Sequence, residues 1–132
     1  MAKKLEGAGL RGQVAGQTSL STVGKEGHGL TYRGYAIEDL AEKANFEEVA
    51  FLLLYGQLPN KTELATYQKK LISNRKLPDE LKKTLELIPA SAHPMDVMRT
   101  GCSVLGNVEP EGDFSNQNDI ADRILALSLI HI

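Results

Sequence analysis

The densest group of reactive side chains lies in the stretch ASAHPMDVMRTG, residues 90–101, where a histidine, an aspartate and an arginine occupy positions 93, 96 and 99. Brought to one substrate, an imidazole, a carboxylate and a guanidinium could share proton transfer and charge stabilisation. The spacing also has a purely local explanation. Pro94 suits the first position of a helix, His93 precedes it as N-cap, Asp96 lies in the first turn against the positive end of the dipole, and Arg99 is within pairing reach. Beyond them Val97, Met98, Cys102, Val104 and Leu105 are apolar while Thr100, Gly101 and Ser103 are small, which predicts a helix packed between others. A capped, buried helix leaves His93 no catalytic role.

Other chemical motifs fail on context. GAGLRG satisfies G-x-G-x-x-G through Gly7, Gly9 and Gly12, but a dinucleotide fingerprint follows a strand and opens a helix, and neither MAKKLE nor QVAGQT fits. GKEGHGL does not supply a P-loop, and GCSVLG around Ser103 is not a nucleophile elbow. His28, His93, His131 and Cys102 are too scattered for a standard zinc spacing, so no metal site is expected. Cys102, beside Gly101 and Ser103, reads as a small residue that lets another helix approach.

The elements that would carry these residues are mostly helical. GQTSLSTVGKEGHGLTYRGY reads as strand, glycine-rich turn across Gly24 to Gly29, and strand, a hairpin over about residues 14–34. Helices fill about 36–132. AIEDLAEKA places Ile37, Leu40, Ala41 and Ala44 on one side. NFEEVAFLLLYGQLP opens with a capping box, Asn45 and Glu48, and stops at Gly56 and Pro59. Its interior, Val49 to Leu54, is apolar nearly all round and predicts burial on most sides. NKTELATYQKKLISNR repeats the box with Asn60 and Glu63, sets Leu64, Tyr67, Leu71 and Ile72 in an apolar stripe, and leaves Lys69, Lys70 and Arg75 on the other face. LPDELKKTLELIP has Pro78 in its first turn and Leu81, Leu85 and Ile88 for burial. After a polar loop, DIADRILALSLIHI forms a last helix with Ile120, Ile124, Leu125 and Leu127 apolar.

With 132 residues, 42% apolar and 24% charged, the chain has the size and composition of one folded domain. A net charge of -2 argues against nucleic acid as a partner. A single cysteine and the lack of a signal-like apolar run suit a cytoplasmic setting. The longest apolar run, VAFLLLY, is far short of the roughly 20 residues that span a bilayer, so no membrane association is expected.

Three blocks, GLRGQVAGQTSLSTVGKEG, LTYRGYAIEDLAEKANFEEVAFLLLYGQLPN and LKKTLELIPASAHPMDVMRTG, closely resemble, in the same order, the N-terminal part of the citrate synthase family. The SAHPMDVMRTG form is most similar to its 2-methylcitrate synthase branch. The resemblance implies a mainly α fold, a helical large-domain segment with a small N-terminal hairpin, from a homodimer that condenses an acyl-CoA with oxaloacetate. Propionyl-CoA is the acyl donor in the methylcitrate branch and acetyl-CoA in the alternative, citrate synthase proper. No cofactor is implied, since acyl-CoA is a substrate.

The family chemistry uses an aspartate to take the proton beside the thioester and two histidines around the enol and the oxaloacetate carbonyl. The resemblance puts all three in later segments without counterpart here, so no catalytic residue is carried over. Two substrate-binding candidates are: Arg11 in GLRG, resembling an arginine that reaches CoA phosphates, and Lys70, near a substrate contact of some methylcitrate synthases. The bland reading of both is a solvated surface cation. Family members continue past DIADRILA into an aromatic-rich segment, whereas this sequence reads LSLIHI. The expectation is a truncated or frame-shifted copy, or a fragment of a gene, inactive alone. The competing reading is a non-catalytic helical interaction module.

Overall fold

The computed structural model describes residue 14, residues 16–23 and residues 29–128. They divide into two compact units, Met1–Lys43 and Ala44–Ile132. The described residues are mostly helical, at 62%, as the sequence predicts, with a small three-stranded sheet.

In the first unit, β1 (Ser21–Thr22), β2 (Thr31–Tyr32) and β3 (Tyr35–Ala36) form an antiparallel sheet in the order β1-β2-β3. Thr22 pairs with Thr31 and their hydroxyls meet at 2.5 Å. The expected hairpin is thus the β1–β2 pair, and residues 24–28 of its turn lie outside the described residues. The third strand is a correction to a plain two-stranded hairpin. Arg33 and Gly34 both take positive φ, 49° and 90°, so this two-residue connection folds the chain back as a type I′ turn does. Helix α1 (Ile37–Lys43) follows directly, with Leu40 buried.

The described elements of the second unit are helical: α2 (Phe46–Tyr55), α3 (Lys61–Ser73), α4 (Asp79–Glu86), α5 (Pro94–Val108), a short 3-10 turn (Phe114–Asn116) and α6 (Gln117–Ser128). The expected caps form. Asn45 accepts from the Glu48 amide at 3.0 Å while Glu48 accepts from the Asn45 amide at 2.8 Å. Asn60 and Glu63 repeat the exchange. Gly56 closes α2 at φ 91°, a left-handed cap that a side chain would strain. His93 Nδ1 accepts from the Met95 amide at 3.2 Å, and Arg99 pairs with Asp96 at 3.0 Å, so that constellation is the capped first turn of α5.

Packing falls into two groups, α3 between α2 and α6, and α4 against α5. The first group buries Ala50, Tyr67, Leu71 and Ala126, with Phe51, Tyr55 and Leu125 packed on them. Phe51, Tyr55 and Tyr67 form an aromatic trio: Phe51 stacks on Tyr55 at 4.5 Å, and Tyr67 meets both edge-on. Such pairs add about 0.5–1.5 kcal/mol beyond burial.

Several burial expectations are corrected. In α2 only Ala50 and Leu52 are buried, and Phe46 is half exposed. In α3 Ile72 lies outside at 60% exposure, while Lys70 points toward α6. The largest departure is α5, which has no buried residue: Met95, Met98 and Cys102 are exposed. The cause is that α5 rests chiefly on α4, so its far side is uncovered. The close approach falls to Gly101, not Cys102; a Cβ there would sit 3.6 Å from Leu85 Cδ2. Among the described residues no helix is long and apolar enough to cross a membrane.

Candidate functional site

Of the two proposed substrate cations, Arg11 lies outside the described residues. Lys70 sits in the most elaborate polar cluster of the second unit. The third turn of α3 carries it next to Leu71, while the first turns of α6 bring Asp119 and Asp122 to the same place. Its Nζ donates to Asp122 Oδ2 at 2.6 Å and to Asp119 Oδ1 at 2.7 Å. Tyr55 Oη donates to Asp122 Oδ2 at 2.5 Å, and Tyr67 Oη to Asp122 Oδ1 at 2.9 Å. Asp122 is fully buried and is the one buried polar side chain among the described residues.

A carboxylate with no exposure survives there because three donors surround its two oxygens, as buried charge requires. The environment shifts the donors in turn. Burial, then the hydrogen bond to Asp122, raises the Tyr67 phenol well above its ordinary 10.0 and raises Tyr55 in the same direction. Burial pulls Lys70 down, but the bonds to Asp119 and Asp122 together outweigh it and hold the ammonium above its ordinary 10.5. Lys70 is therefore a fixed cation at neutral pH, unsuited to act as base or nucleophile. Two of its three N–H groups are taken by Asp119 and Asp122, and the Tyr55 hydroxyl lies beside the same ammonium.

Groups whose folded pKa is raised contribute stability that is whole below their unfolded values and is lost as pH rises through the folded ones. The folded chain is therefore expected to weaken as pH climbs past about 10, the unfolded tyrosine value. Tyr67→Phe removes one of these groups. Denaturation midpoints across the alkaline range should fall less steeply in that variant than in the parent, and identical slopes would contradict the cluster.

A second tie fixes α6 from its other side. Arg123 gives a bidentate pair to Glu109, Nε to Oε2 at 2.9 Å and Nη2 to Oε1 at 2.7 Å, and its Nη1 donates to the Asn74 carbonyl at the end of α3. The guanidinium hydrogen bonds hold the Glu109 carboxyl below its usual value, partly opposed by burial. An open depression of about 240 Å³ lies beside it, lined by Lys76, Leu77, Pro78, Asp79 and Glu109. It contains no histidine. Among the described residues no group of three or more His, Cys, Asp or Glu could hold a metal.

Among the described residues, neither His93 nor Asp122 forms part of an assembled acid–base site. His93 spends Nδ1 on its cap, and Asp122 is sealed and saturated. The Asp122 cluster was missed by sequence reasoning because its partners lie 52 to 67 residues away. The available signal was the pair of carboxylates at 119 and 122, three apart near the start of the helix.

Residues 9–131 match the family model described as citrate synthase, C-terminal domain. The chain is 67% identical over 125 residues to a 2-methylcitrate synthase of Shewanella oneidensis, covering 95% of this chain and 33% of that protein. It superposes on the citrate synthase of Thermotoga maritima with a TM-score of 0.78 at 31% identity, covering 96% of this chain and 32% of the other. The Thermoplasma acidophilum citrate synthase, solved with carboxymethyl coenzyme A and oxaloacetate, gives 0.79 at 25% identity, with coverages of 90% and 32%. The chain thus spans about a third of the length of these relatives.

Proposed function

The chain belongs to the citrate synthase family, and on that footing we propose that it supplies the N-terminal part of a 2-methylcitrate synthase, an acyltransferase joining propionyl-CoA to oxaloacetate with release of CoA. The observation that carries the branch is the 67% identity to the Shewanella enzyme, more than twice the identity to either citrate synthase structure. The N-terminal placement rests on the ordered blocks that resemble that part of the family. Use of acetyl-CoA is the alternative within the family. Homodimer formation and a cytoplasmic setting belong to the same proposal.

The reaction needs a base for the proton beside the thioester and donors for the enol and carbonyl oxygens, all held around one substrate. Asp122 is saturated and His93 spends Nδ1 on the cap of α5, so neither is offered as that base. This segment's contribution is scaffold: α2, α3 and α6 form a pinned helical layer. Arg11 remains proposed as a CoA phosphate contact, a role suited to a bidentate guanidinium. Lys70 remains proposed as a substrate contact.

The 132-residue chain alone is expected to release no CoA from propionyl-CoA or acetyl-CoA with oxaloacetate, followed with a thiol reagent. Turnover above the uncatalysed rate would show that the segment carries acid–base groups of its own and would overturn the scaffold role.

A further inference from the structure

Two sides of α6 compete to be the inner one. Ile120, Ile124 and Leu127 follow at spacings of four and three, the apolar stripe that ordinarily packs inward. Asp119, Asp122 and Ala126 recur at three and four on the opposite side, since positions two apart are about 200° apart around a helix. It is this second set that faces the core. Asp122 and Ala126 are 0% exposed, whereas Ile124, the middle of the apolar stripe, is 55% exposed. Leu127 is buried at the stripe's C-terminal end, so apolar contact is present on both sides and does not by itself choose between them.

Directional bonds do choose. The Asp122 carboxylate is held by Tyr55 from α2 and by Tyr67 and Lys70 from α3, and Asp119 one turn earlier shares the same ammonium. Turning α6 by half a turn would break all four of these bonds, and with them the Arg123 bonds to Glu109 and the Asn74 carbonyl, while the apolar contacts could re-form. We propose that the Asp122 cluster is an orientation pin: it sets which side of α6 is turned to α2 and α3, and it adds little net folding stability. Desolvating a carboxylate and an ammonium consumes most of their attraction, and the best-attested use of such buried pairs is selection among packings.

Replacing the whole cluster separates orientation from stability. The variant carries Tyr55→Phe, Tyr67→Phe, Lys70→Met and Asp122→Leu, so no donor of the cluster is left without its acceptor, and it is made in a parent in which Arg123→Met and Glu109→Gln have already released the second tie on α6. Ile124→Cys supplies a thiol probe, and Cys102→Ser removes the chain's single native cysteine, which is exposed. With the pin intact, the probe at 124 should react freely with a maleimide. Without it, helix content and the denaturation midpoint should match or exceed those of the parent. The probe's reaction should slow by about tenfold, as for a site that reacts only through local opening, or split into a fast and a slow phase. A folded variant whose probe reacts at the parental rate overturns the orientation role. A variant that loses its cooperative transition, or whose midpoint falls, overturns the claim that the cluster adds little stability.

Discussion

Asp122→Ala is expected to cost about 3–5 kcal/mol of folding stability, the range for removing one partner of a buried ion pair. The carboxylate is wholly buried, and its removal strands the Tyr55 and Tyr67 hydroxyls, each worth about 1–3 kcal/mol when left unsatisfied. Lys70 adds less, because its side chain is 36% exposed and keeps Asp119. Against a total of roughly 5–15 kcal/mol for an ordinary domain, such a loss is a large fraction. Asp122→Asn should fall between parent and alanine variant: its amide keeps one acceptor oxygen but sets an NH2 group against donors on the other side. Urea denaturation reads both. A loss below about 1 kcal/mol for the alanine variant, the size of an ordinary single hydrogen bond, would mean that the side chains do not converge as described. This single removal and the whole-cluster replacement differ in what they leave behind, which is why one should destabilise and the other should not.

Leu71→Ala should cost about 2–5 kcal/mol, toward the upper part of that range. Leu71 is 1% exposed and packs in a cluster whose other members include Ala50 and Ala126. Alanines have no side-chain length with which to move into the space, so the cavity stays open and its cost adds to the lost transfer energy. The neighbouring Ile72 is 60% exposed and is the natural control. Ile72→Ala should change stability by no more than about 0.5 kcal/mol. Equal losses at the two positions would mean that α3 is rotated from the orientation given.

What could be read from the sequence was local. The Asn45 and Asn60 boxes, the Gly56 stop and the His93 cap each need only four or so neighbouring residues, so type and spacing suffice. The Arg33–Gly34 turn was not read because its two positive φ values carry no Asn-Gly or Asp-Gly signature. Lys70 was read as an outward cation because a lysine on a helix between charged residues ordinarily is one; its inward turn depends on Asp122, 52 residues on. The burial of α5 was overestimated for a related reason. Its sequence has the apolar content of a helix enclosed on several sides, but the chain spans about a third of its relatives' length, and α4 covers one side. Helix identity is a property of a short window, whereas enclosure depends on whatever else the polypeptide contains.

The decisive comparison joins this chain to the remainder of the Shewanella 2-methylcitrate synthase, replacing the third that it matches. CoA release with oxaloacetate is then followed for propionyl-CoA and for acetyl-CoA. If the segment is the scaffold of a methylcitrate synthase, the hybrid turns over and favours propionyl-CoA, while neither piece alone releases CoA. A soluble, folded hybrid that releases none would contradict the proposed function, and one that favours acetyl-CoA would contradict the assignment to the methylcitrate branch.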